Sequence, residues 1–174
     1  KTTDKGRFLI TSLAIKLTHT PPKPPFYASL QEYLDQNGVT NYTPQAIRDA
    51  VIAIRSSKLP DPAVVANNGS FFQNPVVEAA KADALKQKFP DIKIWPSAEK
   101  QTKISAAWLV EQAGFKDVHD PKTGMATWAK QPLVLVNEHA KNTADLLDFK
   151  QQIVDAVKSK FGIELAQEPE FIEI

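Results

Sequence analysis

The chain has 174 residues, 43% hydrophobic and 24% charged, which are ordinary values for a globular protein and predict one compact domain with an extension at one end. It contains no cysteine, which excludes disulfides and thiolate metal sites, and its net charge of +1 excludes a broad field that attracts nucleic acid or anionic membranes. No run approaches the roughly 18 apolar residues that cross a bilayer, and no signal peptide is visible, so the sequence predicts a cytoplasmic protein.

The N-terminal part predicts a strand followed by a linker. Residues 7–17 combine an apolar run with alternation at Leu13, Ile15 and Leu17, which is typical of a strand with one buried face. Since this strand follows the non-methionine residue Lys1 almost at once, we expect the chain to be a fragment of a longer protein. Residues 21–25, Pro-Pro-Lys-Pro-Pro, exclude helix and favour an extended linker. We therefore predict that residues 1–20 end one domain and that residues 21–174 form the next.

Capping residues predict most of the helices. Thr43 and Pro44 begin a helix that ends before Leu59-Pro60. Two more helices are predicted at about residues 77–88 and 104–113, the second closed by Gly114. Asn142-Thr143 begins a long helix that ends at Gly162.

Two strands are predicted in the second half of the chain, at residues 133–136 and at about 163–172. Strands and helices follow one another without strict βαβ alternation, which predicts an α+β fold. We expect a small mixed or antiparallel sheet packed with about four helices, preceded by a strand of an upstream domain.

The most unusual stretch is residues 67–75, Asn-Asn-Gly-Ser-Phe-Phe-Gln-Asn-Pro. Taken alone, it favours a turn whose Phe71 and Phe72 anchor it in the core, although Ser70 could offer a hydroxyl to a pocket. It contains no Gly-x-Ser-x-Gly elbow. The three histidines lie far apart without ligand spacing and are interpreted as surface or loop residues, so no metal site is predicted. No glycine-rich phosphate loop is present either.

Several ordered motifs resemble the type I UDP-N-acetylenolpyruvoylglucosamine reductases. That family characteristically reads Lys-Leu-Pro-Asp-Pro and then Gly-Ser-Phe-Phe-Lys-Asn-Pro, and this chain has Lys58-Leu59-Pro60-Asp61-Pro62 and Gly69-Ser70-Phe71-Phe72-Gln73-Asn74-Pro75. Further similar blocks begin at Lys103, Leu133 and Phe161. The blocks span nearly the whole chain, and five in order are far more specific than any one alone.

The resemblance implies a reductase that uses FAD and NADPH to reduce the enolpyruvyl ether of UDP-N-acetylglucosamine enolpyruvate. It assigns Ser70 as the proton donor to a carbanionic intermediate, a base strong enough to be protonated by an alcohol. Counting without gaps from Phe161-Gly162, the family's essential glutamate falls on Glu168. The family usually reads Leu-Glu-Pro-Glu there, whereas this chain reads Leu165-Ala166-Gln167-Glu168-Pro169-Glu170, so a shift of two residues would select Glu170.

The resemblance also implies substrate contacts. The residues that match nucleotide-sugar ligands are Tyr27, Lys58, Asn74, Trp95, Lys116 and Gln131. Trp95 stands where relatives often have tyrosine near the uracil, which retains stacking and loses a hydroxyl contact. Lys58 would supply a point charge to the diphosphate.

Two departures from the family pattern limit what the chain can do alone. Gln73 replaces the usual lysine between Phe72 and Asn74. The family's upstream Tyr-Arg-Asp-Ser segment and FAD-binding domain have no counterpart in this sequence, so residues 1–20 are interpreted as the terminal strand of that FAD domain. We expect the fragment alone to be inactive. The alternative is a stand-alone, non-catalytic UDP-sugar-binding module, which the presence or absence of an upstream flavin domain would distinguish.

Overall fold

The computed structural model describes residues 7–170, which divide between Ile54 and Arg55 into two compact units. The boundary predicted at residue 20, between an upstream domain and this one, stays a prediction. Within the described residues, no helix is long and apolar enough to pass through a membrane.

The first unit is built on a pair of helices. Helix α1 covers Ala28–Gln36, and helix α2 covers Pro44–Lys58, beginning in this unit and ending in the other. Leu30, Leu34 and Ala50 form its small buried cluster. As predicted, Thr43 caps α2, because its hydroxyl accepts the Ala46 N–H at 3.1 Å. Helix α1 was not predicted, since no side chain caps its first turn.

The strand predicted at residues 7–17 does not form: residues 8–23 belong to neither helix nor strand. Their large apolar side chains, Phe8, Leu9, Ile10, Leu13, Ile15 and Leu17, are 69–84% exposed. A strand needs a neighbouring backbone to accept and donate its hydrogen bonds, and no described strand pairs with this segment. Its assignment to an upstream domain stays a prediction.

The described part of the second unit forms two small antiparallel sheets. The first has four strands in the order β1-β7-β6-β5, and the second has three in the order β2-β4-β3. The strands are β1 (Asn67–Ser70), β2 (Val76–Glu78), β3 (Ile94–Pro96), β4 (Gln101–Ile104), β5 (His119–Asp120), β6 (Met125–Trp128) and β7 (Gln131–Asn137). Strand β7 contains the predicted strand at 133–136, and the α+β class is confirmed.

Three helices pack with these sheets: α3 (Ala79–Lys88), α4 (Ala106–Gln112) and α5 (Thr143–Phe161). All three were predicted. Helices α3 and α4 begin about two residues after their predicted starts, because residues 76–78 and Ile104 belong to strands. Asn142 and Asp145 form a capping box at the start of α5. Gly162, with φ +64°, ends α5 in the left-handed conformation that glycine adopts without strain.

The largest core cluster joins these elements to the motif region. Phe71 and Phe72 are only 1% and 3% exposed and pack with residues of α4 and α5 such as Leu109 and Phe149. The anchoring role predicted for the two phenylalanines is therefore confirmed. It fixes the backbone immediately after Ser70.

The strand predicted at 163–172 is wrong within the described residues. It is reduced to one isolated antiparallel bridge between Phe72 and Gln167. Pro169 has no N–H to continue a ladder, which explains why pairing stops there. The last part of that prediction lies outside the described residues.

Candidate functional site

Ser70 ends an irregular edge strand. Strand β1 pairs with β7 through Asn67–Val136 and Ser70–Val134, with a register shift between the two pairs. The predicted turn is thus a bulged strand, although it keeps turn chemistry: the Asn67 Oδ1 accepts the Gly69 N–H at 3.1 Å. Gly69 has φ +77°, a conformation that favours glycine. Ser70 itself is exposed, next to two buried phenylalanines.

The C-terminal segment lies directly against this strand end. The Glu168 N–H donates to the Phe71 carbonyl at 2.7 Å, and the Gln73 N–H donates to the Ala166 carbonyl at 2.9 Å. Because Phe71 follows Ser70, the structure brings the backbone of Glu168 within one residue of the candidate proton donor. Glu170 lies two residues further along, and both glutamates are exposed.

Asn74 has a structural contact that the sequence did not reveal. Its Oδ1 accepts the N–H of Ala106, the first residue of α4, at 2.9 Å. Among the described residues, none accepts a hydrogen bond from its Nδ2. The side chain therefore anchors α4 with its oxygen and can offer its amide N–H groups to a ligand.

Lys58 and Gln131 are linked through Trp128. The indole Nε1 of Trp128 donates to the Lys58 carbonyl at 3.0 Å, and Trp128 pairs with Gln131 across β6 and β7. The Lys58 side chain is exposed. Trp128 was not singled out from the sequence. The one general signal was that a tryptophan N–H usually finds an acceptor when the ring is buried.

Gln131 carries an unsatisfied acceptor. Its Oε1 is buried and has no hydrogen-bond partner among the described residues. A buried acceptor without a donor costs roughly 1–3 kcal/mol. A ligand donor that reached this oxygen would remove that cost. This supports the contact predicted between Gln131 and the nucleotide-sugar.

The remaining predicted contacts are Trp95, Lys116 and Tyr27. Trp95, in β3, is 46% exposed and borders a cavity of about 340 Å³ in the second sheet. Lys116 is exposed and forms an ion pair with Glu111 at 2.6 Å, with no described contact to the other candidates. Tyr27 lies in the first unit and is 88% exposed.

An adjacent cavity of about 360 Å³ borders the start of β1. Asn67 and Asn68 line it with the beginning of α5, and Met125, Leu135 and Leu146 supply apolar walls. The Asn67 side chain is occupied by bonds to Val65 and Gly69. The cavity therefore offers apolar surface beside the Ser70 strand together with polar side chains such as Lys141 and Thr143.

Two carboxylates surround His119. Its Nδ1 lies 2.8 Å from a Glu138 carboxylate oxygen, and its Nε2 lies 3.5 Å from Asp117. The hydrogen bond and charge of Glu138, aided by Asp117, raise the pKa of His119 above 6.5. The histidine is exposed, as predicted, and among the described residues no three His, Asp, Glu or Cys side chains could hold a metal ion.

We expect Glu138→Gln to lower the pKa of His119 measured by NMR titration. The raised pKa means that His119 contributes stability fully below pH 6.5, and this contribution is lost as pH rises through the folded-state pKa. The variant should therefore be less stable than the unsubstituted chain at pH 5.5 and nearly equal to it at pH 9, apart from any pH-independent loss. An unchanged His119 titration would contradict the ion pair.

Comparisons with known proteins match this chain to one family. The family model described as UDP-N-acetylenolpyruvoylglucosamine reductase, C-terminal domain, matches residues 61–172. The protein named UDP-N-acetylenolpyruvoylglucosamine reductase in Chromobacterium violaceum is 40% identical to this chain, over 94% of this chain and 48% of the relative. The protein of the same name in Alcanivorax borkumensis is 39% identical, over 97% of this chain and 48% of the relative. The Pseudomonas aeruginosa relative is 37% identical, over 95% and 48%. The chain spans about half the length of the curated relatives it matches.

Proposed function

Because this chain belongs to the UDP-N-acetylenolpyruvoylglucosamine reductase family, as its C-terminal domain, we propose that it carries the substrate-binding and proton-donating part of such an enzyme. The observation that carries the proposal is the exposed Ser70, held on a bulged strand end with the Glu168 backbone one residue away. The reaction would reduce the enolpyruvyl ether of UDP-N-acetylglucosamine enolpyruvate to UDP-N-acetylmuramate, for peptidoglycan precursor synthesis in the cytoplasm.

FAD and NADPH are part of this proposal. When bound, FAD reduced by NADPH would supply a hydride to the methylene carbon of the substrate. The sequence has no glycine-rich dinucleotide loop, so the flavin would be held mainly by a part of the protein upstream of this chain. The exposure of Ser70 fits that arrangement, because its hydroxyl can meet a substrate placed between this domain and the flavin.

Ser70 would complete the reduction. When hydride adds to the methylene carbon, the electron pair of the double bond moves to the adjacent carbon and its carboxylate. The Ser70 hydroxyl gives its proton to that carbon, and the serine alkoxide regains a proton from solvent or from a neighbouring acid. An alcohol is a weak acid, but the intermediate is a strong base held against it.

Glu168 is the neighbouring acid that we assign to this site. Kept protonated in a closed, dry complex, its carboxyl group would donate a hydrogen bond to the charge that develops on the substrate carboxylate. The hydrogen bond from its N–H to Phe71 supports Glu168 over Glu170, because it fixes the backbone of Glu168 beside the Ser70 segment.

The nucleotide-sugar would be bound by placed donors and by stacking. Lys58 offers a charge to the diphosphate, and Asn74 offers its Nδ2. Gln131 offers an unsatisfied Oε1 to a donor on the substrate. Trp95 would stack on the uracil beside its cavity. Tyr27 and Lys116 remain predicted contacts to the diphosphate and to the uridine side.

Turnover in deuterated water tests the proposal. In a protein that carries this chain together with its flavin-binding part, NADPH and the enolpyruvyl substrate should yield UDP-N-acetylmuramate with one deuterium at the carbon that Ser70 protonates. Saturable substrate binding without any reduced product would instead establish the non-catalytic binding module.

A further inference from the structure

Backbone hydrogen bonds fix the segment that leads to Glu168. The Ala166 carbonyl accepts from Gln73, the Glu168 N–H donates to Phe71, and the bridge at Gln167 lies between them. Pro169, which follows, has no N–H to extend these contacts. These backbone contacts therefore hold the N-terminal side of Glu168.

The Gln167 side chain supplies a restraint on the other side. Its Nε2 donates to the Pro169 carbonyl at 2.9 Å, which closes a ring that spans Glu168. Its Oε1 accepts from the Nζ of Lys150, on α5, at 3.5 Å. Because an amide oxygen only accepts hydrogen bonds, the contact with Lys150 selects the orientation in which Nε2 faces Pro169.

Gln167 also stands where the chain departs from the family pattern. The family's Leu-Glu-Pro-Glu places a proline directly before the glutamate, and this chain has Gln167 there. A proline ring restricts the backbone covalently. Gln167 restricts the same backbone through the hydrogen bonds of its amide, and its own carbonyl is held by the Gln73 Nε2 at 3.1 Å.

We propose that Gln167, oriented by Lys150, is a positioning residue that sets the Glu168 carboxyl group beside Ser70. The inference rests on the catalytic role proposed for Glu168. In this chain, two hydrogen bonds of the Gln167 side chain, one to Lys150 on α5 and one to Pro169, would take the place of the family's rigid proline.

Gln167→Glu in the active, flavin-containing protein tests this role. Glutamate keeps the size and the acceptor oxygen but cannot, when ionised, donate to the Pro169 carbonyl. We expect kcat to fall about tenfold with KM within about twofold, because the displaced group acts in the reaction and not in binding. The matched control is Gln151→Ala, whose amide contacts Asp155 on the exposed face of α5.

Lys150 is tested by a pair of variants. Lys150→Arg keeps a donor to the Gln167 Oε1 and should retain the unsubstituted kcat, whereas Lys150→Met should resemble Gln167→Glu. Loss in both, or in neither, would contradict the role of Lys150.

Amide hydrogen exchange in the 174-residue chain gives an answer that does not depend on turnover. The Glu168 N–H should exchange about tenfold faster in Gln167→Glu than in Gln151→Ala, since its ring of hydrogen bonds is opened. Equal exchange, or a kcat equal to that of the control, would overturn the inference. A protein that shows altered exchange but no substrate reduction in the unsubstituted form would instead contradict the proposed function.

Discussion

Replacing Ser70 with alanine is expected to slow reduction of the enolpyruvyl substrate about 10²–10⁴-fold, the usual range for a positioned proton donor. Reduction of the flavin by NADPH should proceed at the unsubstituted rate, because that half-reaction does not use the serine. The substitution removes one oxygen from an exposed position, so it should leave the fold intact.

Stopped-flow measurement of the two half-reactions separates these effects. Ser159→Ala, on the exposed face of α5, provides a matched control that should leave both rates unchanged. Normal substrate reduction by Ser70→Ala would remove the serine from the mechanism. Equal slowing of both half-reactions would show a general structural loss instead.

Glu168→Gln is expected to lower kcat about 100-fold or more, whereas Glu170→Gln should stay within about threefold of the unsubstituted protein. An amide keeps the shape and most hydrogen bonds of the side chain, so the comparison reports on the acid itself. The expected difference follows from the Glu168 N–H, which donates to Phe71 and holds only the first glutamate beside Ser70.

The two variants act as controls for each other, since each replaces one carboxyl group of the same exposed segment by an amide. Steady-state kcat and KM for each decide the assignment. Equal activity would mean that neither glutamate is the catalytic acid. A loss confined to Glu170→Gln would mean that the C-terminal segment aligns with the family two residues further along.

Helices were predictable from the sequence wherever their ends carry local chemistry. Helix α5 begins at a capping box of Asn142 and Asp145, and it ends at Gly162 in the left-handed conformation. Both features depend on neighbouring residues alone. Thr43 marks α2 in the same way. Helix α1 has no such cap, which is why it was missed.

Strands were predicted less well because their partners lie far along the chain. Residues 67–70 have the composition of a turn and become a strand only because β7 is there to pair with them. Residues 7–17 have the composition of a strand and find no partner among the described strands. The strands β2 to β6 are two to four residues long, too short for alternation to be recognised.

The ordered motifs identified the residues of the candidate site. They did not reveal the hydrogen bonds that position those residues. That Ser70 and Glu168 share one end of the first sheet follows from hydrogen bonds between distant segments. The double use of Asn74 and the unsatisfied oxygen of Gln131 also depend on tertiary packing. No spacing in the sequence could have revealed them.

Calorimetric titration of the 174-residue chain with UDP-N-acetylglucosamine enolpyruvate decides whether this domain binds the proposed substrate. We expect saturable binding to one site, weakened about tenfold or more by Lys58→Ala and by Asn74→Asp, because each removes a donor to the diphosphate or sugar. Asn74→Asp keeps the oxygen that caps α4, and Lys86→Ala is the control for loss of an exposed positive charge. Binding that all three variants share unchanged would contradict the assignment of this chain as the substrate-binding domain, and so would no saturable binding either by this chain or by a protein that also carries the flavin-binding part.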